Sequence, residues 1–333
     1  MPDNHAQHDL LGKPLSRIDG QKKVTGQARY AAEHLVENAP YIGWVVEATV
    51  AKGTIVDIQA EAAEAAEGVH QVLTYLNSPE QKPFSEPDDE GRFTQSRAVL
   101  ESPQIRHFGM PVALVIADTL EQARYAASLV KVKVEREEPD EFLSADGATQ
   151  TPDSLDGGFD PDAAFGNTDD MLAHSDVSVH STYTTPRQIS AAMEPHATVA
   201  TYDGETLEVY PSVQIVASAV SALANTLKLD EKSIRVKAPF VGGGFGSKLG
   251  IHYDAILASL GAMATRHAVK VALSRRQVFY CSPHRGNSYQ TIEAGCDSHG
   301  KILAIRHHSA MPKARGYNFA EAPGAVARVS YGS

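Results

Sequence analysis

The stretch SIRVKAPFVGGGFGSKLGIHYDAILASLGAMATRH, residues 233–267, decides the fold. It begins with β-branched and other apolar residues, passes through four glycines within five positions, and ends in an alanine- and leucine-rich run with Asp254 near its start. The first pattern favours a strand and the last favours a helix. The stretch therefore predicts a strand, a glycine loop and a helix in succession, which is a building unit of α/β proteins.

The glycine loop predicts a cradle for a phosphate or cofactor. Glycines at 242–244 and 246 let backbone N–H groups approach a ligand, and the N-terminus of the next helix favours an anion. The loop matches neither a P-loop nor a Rossmann fingerprint, because the lysine and acidic residues of those motifs are not at the required positions. A flexible turn is the alternative interpretation, but Phe245 favours a ligand site, since an aromatic side chain inside a glycine loop suggests that it covers something.

Other polar residues give weaker signals. The segment Met193-Glu194-Pro195-His196 favours a buried polar corner over a metal site, because no further spaced ligands are evident. Gln214 ends a predicted strand before a helix, where it can cap the helix or bind a ligand. The other histidines show no ligand spacing and are expected at the surface or in loops: His252, His267, His284, His307 and His308. Generic motifs thus indicate a cofactor loop and leave the reaction open.

Outward from the loop, the first part of the chain predicts an arm and an α/β domain. Residues 1–26 are polar and glycine-containing, which predicts an extended N-terminal arm, and residues 27–135 form the first domain. Its predicted elements are strands at 41–50 and 51–59 paired as a hairpin or meander, a helix at 60–69, strands at 69–76 and 110–118, a helix capped by Thr119, and a strand at 130–135.

The second part predicts a linker and another domain. Residues 136–176 are acidic and rich in Pro, Gly and Asp, which indicates a linker, and residues 177–333 form the second domain. Its predicted elements are a strand at 177–186, a hairpin around Asp203-Gly204, a helix at 217–227, the strand, loop and helix quoted above, a strand at 269–282, and strands at 290–297 and 302–310 joined by a turn. The fold class is α/β, of the mixed α+β kind.

Composition excludes several classes of function. The formal net charge is −11, and twelve of the 41 acidic residues lie between 135 and 170. An acidic chain repels the phosphate backbone, so we do not expect it to bind nucleic acid. No membrane span and no signal peptide are expected, which predicts the cytoplasm, or the periplasm by co-export with a signal-bearing partner. Cys281 and Cys296 are too few for a disulfide scaffold or a four-cysteine metal site, so any iron–sulfur cluster belongs to another chain.

Taken together, these residues resemble the molybdenum-cofactor subunit of the xanthine dehydrogenase and aldehyde oxidase family. The match is closest to bacterial periplasmic-type aldehyde oxidoreductase large subunits. Five segments carry it, in this order: RIDGQKKVTGQARYAAE at 17–33, GMPVALVIADTLEQARYAASLVKV at 109–132, TYTTPRQISAAMEPHATVA at 182–200, VYPSVQ at 209–214 and GGGFGSK at 242–248.

The resemblance implies an α/β hammerhead domain at 27–135 and the first part of a molybdopterin-binding domain at 177–333. It implies a molybdenum–pterin cofactor in the cytosine dinucleotide form, with Gln214 hydrogen-bonded to the apical oxygen of molybdenum. It further implies that the chain supplies no metal ligand and that the cofactor is contacted by Gly243, Gly244, Phe245, Gly246 and Ser247. The partners implied are an iron–sulfur subunit, an FAD subunit and the C-terminal half of the molybdenum subunit.

The resemblance also implies the reaction, which is oxidation of aldehydes or related carbonyl and N-heterocyclic substrates with water as oxygen donor. The resemblance places Leu249 in the substrate pocket, where purine-oxidising members have a glutamate, which favours an aldehyde over the xanthine dehydrogenase alternative. Family subunits are more than twice this long, and their general-base glutamate lies in the half beyond residue 333. We therefore expect an N-terminal portion that is inactive alone; a noncatalytic assembly or docking module is the remaining alternative.

Overall fold

The computed structural model describes residues 12–313 and 321–331, with gaps at 35, 38, 85–90, 92, 140–150, 152, 156–157, 159 and 322. Its strands are β1 (Tyr41–Glu47), β2 (Gly53–Gln59), β3 (Val69–Leu73), β4 (Gln104–Ile105), β5 (Pro111–Ala117), β6 (Lys131–Arg136), β7 (Val177–Thr185), β8 (Gln188–Ile189), β9 (Ala197–Tyr202), β10 (Leu207–Pro211), β11 (Ile234–Val236), β12 (Val269–Ala272), β13 (His284–Arg285), β14 (Ser288–Cys296) and β15 (Ile302–Ala310). Its helices are α1 (Gly20–Val24), α2 (Glu61–Glu64), α3 (Leu120–Leu129), α4 (Thr168–Ala173), α5 (Val216–Leu227), α6 (Tyr253–Thr265), α7 (Arg275–Cys281) and α8 (Pro323–Tyr331).

Seven strands form a central mixed sheet in the order β11-β10-β9-β12-β1-β5-β3. β1 runs parallel to β12, with Tyr41 opposite Val269 and Gly43 opposite Val271, and β10 runs parallel to β11. The remaining neighbours are antiparallel. Because β1 comes from the first predicted domain and β12 from the second, one sheet joins the two regions.

The core lies on both faces of this sheet. All seven residues of β5 are buried. Leu114 and Ile116 belong to the large apolar cluster that includes α5 and α6, whereas Ala113 and Val115 pack with Ala126 of α3. Successive side chains of a strand point to opposite faces, so a strand covered on both sides is apolar at every position. The sequence prediction of a strand at 110–118 is confirmed.

Helix α6 fixes the end of the glycine loop. Residues 254–262 of this helix are all buried. A Cβ on Gly261 would stand 3.0 Å from Val269 Cγ1 and 3.1 Å from Ile116 Cδ1, so glycine allows the helix to lie directly on the sheet. The N-terminus of α6, and the loop before it, are therefore held by the core.

Three smaller sheets complete the fold: β4-β2-β6, β15-β14-β7 and the pair β13-β8. The predicted pairing of the last two long strands is confirmed by β14 and β15. The predicted hairpin at Asp203-Gly204 is confirmed by β9 and β10, with Gly204 at φ +110°. The predicted N-cap of α3 is confirmed, since Thr119 Oγ1 accepts the N–H of Gln122 at 3.3 Å.

The predicted β1–β2 hairpin is wrong. β2 pairs with β4 and β6, while β1 pairs with β5 and β12. Gly53 starts β2 at φ +157° and packs against the backbone of Glu135 in β6, which leads the chain out of the central sheet. β1 therefore pairs on its two edges with β5 and β12.

The strand predicted at 269–282 is half wrong. β12 ends at Ala272, and Arg275–Cys281 form helix α7. Ser274 caps this helix, because its Oγ accepts the N–H of Gln277 at 3.2 Å while Gln277 Oε1 accepts the N–H of Ser274 at 2.8 Å. This reciprocal capping box overrides the alternation of the apolar residues.

Two segments predicted to lack regular structure contain short helices. α1 lies within the N-terminal arm, and α4 lies within the acidic linker, where the side chain of Asn167 accepts the N–H of Asp170. Throughout the described part of the chain, no helix has the length and apolar character that a bilayer crossing requires.

Candidate functional site

The glycine loop, residues 241–248, lies between β11 and α6 and follows an unusual backbone path. Gly243 has φ +98°, Phe245 has φ +51° and Gly246 has φ +89°. Glycine adopts these left-handed conformations without strain, but phenylalanine does not. Strained residues of this kind concentrate at ligand-binding sites.

Four consecutive backbone donors of the loop have no acceptor among the described residues. They are the N–H groups of residues 243–246. The flanking donors are used, because Gly242 donates to Glu194 Oε2, Ser247 donates to Gly244 O and Lys248 donates to Gln214 Oε1. Successive backbone N–H groups without an internal acceptor are available to a ligand, so the loop suits one rich in oxygen or negative charge.

Gln214 lies directly against this loop. Its backbone N–H donates to Lys248 O at 2.7 Å, and its Oε1 accepts the N–H of Lys248 at 3.3 Å. A Cβ on Gly244 would overlap the Gln214 amide, so glycine is required there for the side chain to fit. Gln214 Nε2 has no acceptor in the described part of the chain and adds a fifth donor beside the other four.

A buried ion pair holds the two ends of the loop together. Lys248 is fully buried, and its Nζ donates to Glu194 Oε2 and to Glu194 O, both at 2.9 Å. Gly242 donates its N–H to Glu194 Oε2 at 2.8 Å, and its carbonyl accepts the N–H of Glu194 at 3.1 Å. The lysine is therefore sequestered and does not face a ligand.

Two neighbouring histidines, His196 and His252, lie next to the C-terminal end of the loop. His196 is 3% exposed and its Nε2 donates to Ser247 O at 3.0 Å, while its Nδ1 is buried without a partner among the described residues. His252 occupies the N-cap position of α6 without a side-chain capping bond, and its ring centre lies 5.6 Å from that of His196. Burial, and then the neighbouring His196 and Arg97, hold the pKa of His252 well below its usual value. His252 lies in the loop just before α6, as the sequence predicted, and its side chain is half-buried.

The Met-Glu-Pro-His segment serves the loop through its side chains. Glu194 and His196 bind loop atoms, which agrees with the structural interpretation of this segment. Arg275 of α7 donates to the carbonyls of Ala192 at 2.6 Å and Met193 at 3.0 Å, which ties the segment to the core. Nothing local in the sequence indicated that Glu194 pairs with Lys248; a lysine at the end of a glycine loop usually suggests a ligand contact.

The remaining candidate residues differ in their surroundings. Phe245 is 76% exposed, and its ring lies beside Gly243. Ser247 is buried, and its hydroxyl donates to Gly244 O at 2.8 Å, so this side chain is engaged within the loop. Leu249 is half-buried. The structure thus brings Gln214 and the loop together and leaves Phe245 as an exposed apolar group at their edge.

Comparison with known proteins places this geometry in a family. A family described as molybdopterin cofactor-binding domain matches residues 152–325. A second, described as aldehyde oxidase and xanthine dehydrogenase, a/b hammerhead domain, matches residues 25–138. The boundaries predicted from the sequence, 27–135 and 177–333, stay predictions.

Relatives and solved structures agree with these matches. The aldehyde oxidoreductase molybdenum-binding subunit PaoC of Escherichia coli (strain K12) is 38% identical over 308 residues, covering 91% of this chain and 40% of the relative. The chain thus spans about 40% of the length of this curated relative.

Two solved structures share the fold. Quinoline 2-oxidoreductase from Pseudomonas putida 86 superposes with a TM-score of 0.72 at 23% identity, over 90% of this chain and 39% of that one. The aldehyde oxidoreductase from Desulfovibrio desulfuricans gives 0.72 at 23% identity, over 90% and 34%. The matches confirm the family that the motifs resemble and the mixed α/β fold class. The chain belongs to the molybdopterin cofactor-binding family, and carries the hammerhead domain of aldehyde oxidases and xanthine dehydrogenases ahead of its cofactor-binding domain.

Proposed function

We propose that this chain is part of a molybdenum hydroxylase that oxidises aldehydes with water as oxygen donor, and that its share is to hold the molybdenum–pterin cofactor. The observation that carries the proposal is the set of four N–H groups at residues 243–246 that have no acceptor among the described residues, beside the Nε2 group of Gln214. These five donors, four in the loop and one on the residue packed against it, fit a cofactor that carries oxygen atoms and phosphate. When bound, such a cofactor supplies the oxidation of the substrate carbon and passes the electrons on.

The residues of the chain have distinct parts in this proposal. The N–H groups of Gly243, Gly244, Phe245 and Gly246 bind and orient the cofactor, whereas Ser247 acts through the loop, because its hydroxyl is engaged by Gly244 O. Gln214 Nε2 donates toward the molybdenum centre. Phe245, exposed in this chain, shields the bound group from water.

An aldehyde is the proposed substrate class on two grounds. The relative with 38% identity is named for aldehyde oxidation. Leu249, the half-buried residue that follows the loop, is apolar and carries no carboxylate, so a purine would lose a polar partner there. The proposal includes the cytosine dinucleotide form of the cofactor, iron–sulfur and FAD groups on partner subunits, and a location in cytoplasm or periplasm that follows those partners.

Cofactor content tests the proposal directly. The protein is expressed in a host that makes the cofactor, and molybdenum and oxidised pterin are measured per chain for the parent, Gly246→Ala and Gly300→Ala. Gly246 and Gly300 have φ +89° and +83°, and neither Cβ would meet another atom within 4 Å, so the two variants carry the same backbone strain. We expect near-stoichiometric molybdenum in the parent and Gly300→Ala, and a large loss in Gly246→Ala, because its Cβ blocks close approach.

The outcomes separate the alternatives. No molybdenum or pterin in the parent contradicts the cofactor role and supports a docking module. Equal loss in both glycine variants means that strain, not contact, is responsible, which contradicts the loop assignment. In the assembled enzyme, oxidation of xanthine in preference to benzaldehyde would overturn the proposed substrate class.

A further inference from the structure

The N-terminal segment 23–34 passes across the chain immediately before the glycine loop. The ring of Tyr30 lies 6.1 Å from that of Phe240, and Lys23 Nζ stands 5.8 Å from the centre of the same ring. Ala31 is 2% exposed. Farther along, the His34 ring stacks on Tyr210 with the centres 4.4 Å apart. The segment therefore packs on the residues that lead into the site.

One carboxylate connects this segment to the loop. Glu194 Oε1 accepts the N–H of Ala31 at 3.2 Å, while Oε2 accepts the N–H of Gly242 and the ammonium of Lys248. All three partners are donors. A carboxylate accepts from all of them, whereas the amide of glutamine would turn an NH₂ group toward one of them. The charge of Glu194 also neutralises a fully buried lysine, and an unpaired charge there would be strongly destabilising.

These contacts decide which donors a ligand meets. Glu194 occupies the N–H of Gly242 and the ammonium of Lys248, so neither is available, and the free backbone donors among the described loop residues are those of residues 243–246. The restriction depends on Glu194 staying in place. Among the contacts that hold its carboxylate, the N–H of Ala31 is the one that comes from outside the loop.

We propose that residues 23–34 act as a strap that holds the glycine loop in its ligand-accepting conformation, and that Glu194 is the positioning residue through which the strap acts. The identity of the ligand rests on the proposed function above. The contact between the strap and the loop does not depend on that function, because it is made without a ligand.

Proline at position 31 removes the connecting donor. Because Ala31 is 2% exposed, the proline ring must also be accommodated, so the variants are compared at equal melting temperature. Ala31 is the first residue of the short 3₁₀ turn Ala31–Glu33, where the missing N–H of proline breaks no bond within the turn. Tyr30 has φ −87° and ψ 171°, which suits a residue before proline. Ala31→Gly is the matched control, because it loses the methyl group but keeps the N–H. Glu194→Gln removes the charge and keeps the size.

Hydrogen exchange of the cofactor-free protein is the first measurement, read by mass spectrometry on peptides covering residues 240–250. In Ala31→Pro and Glu194→Gln the protected amides of the loop should exchange about tenfold faster, as loss of a charge-assisted hydrogen bond implies. Ala31→Gly should exchange at the parental rate. If Glu194→Gln does not fold, as judged by far-UV circular dichroism, Ala31→Pro decides the question alone.

Cofactor release from the loaded protein is the second measurement. Release should be several-fold faster in Ala31→Pro than in Ala31→Gly at equal melting temperature, which a general loss of stability would not produce. Parental loop exchange in Ala31→Pro overturns the strap. If Ala31→Pro exchanges its loop amides faster but the parent protein binds no molybdenum, the strap is supported and the proposed function is rejected. The two failures are therefore distinguishable.

Discussion

Gln214 is held on the glycine loop by its backbone, and its side-chain amide lies against Gly244. Replacing it with alanine removes the Nε2 donor but leaves the 2.7 Å bond from its backbone N–H to Lys248 O and all four N–H groups of residues 243–246. We expect turnover of the assembled enzyme to fall roughly 100-fold, as for loss of one preorganised donor, while molybdenum per chain stays at the parental ratio. Gln59→Ala, an exposed glutamine on β2, is the control. Full turnover in Gln214→Ala would reject the role proposed for this residue.

The two cysteines differ in a way that chemistry can measure. Cys281 is 3% exposed and donates its thiol to Gly109 O at 2.9 Å, and burial together with the nearby charge of Glu47 raises the pKa of this thiol to about 12. The thiolate is the reactive form. Iodoacetamide at pH 8 should therefore modify Cys296, on β14, in the native protein and both cysteines after unfolding. Mass spectrometry that finds Cys281 alkylated first would contradict this environment.

At the scale of the element, the first turn of helix α7 both caps the helix and contacts the segment that supports the glycine loop. Ser274 caps the helix, and the next residue, Arg275, holds the carbonyls of Ala192 and Met193. Thr119 caps α3 with the same kind of capping box. Ser274→Ala and Thr119→Ala should each cost about 1 kcal/mol in denaturant unfolding. Only Ser274→Ala should also speed cofactor release, because fraying of α7 frees Arg275. Equal release in the two variants would mean that α7 does not support the site.

The elements also show what the sequence could predict. β5, α6, the Thr119 cap and the glycine loop carry local patterns, so their existence follows from residues within a few positions of one another. Helix α7 carried its signal too, in the spacing of Ser274 and Gln277, but apolar alternation was given more weight. The ion pair of Glu194 with Lys248 and the bond to Ala31 join residues 54 and 163 positions apart. Contacts at that separation depend on sheet order, which no local pattern specifies.

At the scale of the whole molecule, the central sheet makes one body of the two regions. The largest apolar cluster contains Val45 and Leu114 from the first region and Leu207, Leu223 and Val271 from the second. β1 lies between β5 and β12, so its two edges are bonded to different regions. A domain that shares both its sheet and its core with another lacks a separate folding transition. The site inherits this rigidity, since α6, α7 and the strap all rest on the same sheet.

This arrangement predicts that a destabilising substitution in one region lowers the unfolding midpoint of the other region by the same amount. Leu223, in α5, is fully buried, and its replacement by alanine should cost about 2–5 kcal/mol. Trp44, the only tryptophan, lies on β1 in the first region, and a dye on Cys296 reports from the second. In a denaturant titration, Leu223→Ala should lower the midpoints seen by both reporters by the same amount. Leu76→Ala, at a side chain 69% exposed, should move neither by more than about 0.5 kcal/mol. If Leu223→Ala lowers the midpoint reported by Cys296 but leaves that of Trp44 unchanged, the two regions unfold independently. The loss of core packing around Leu223 would then not destabilise β1.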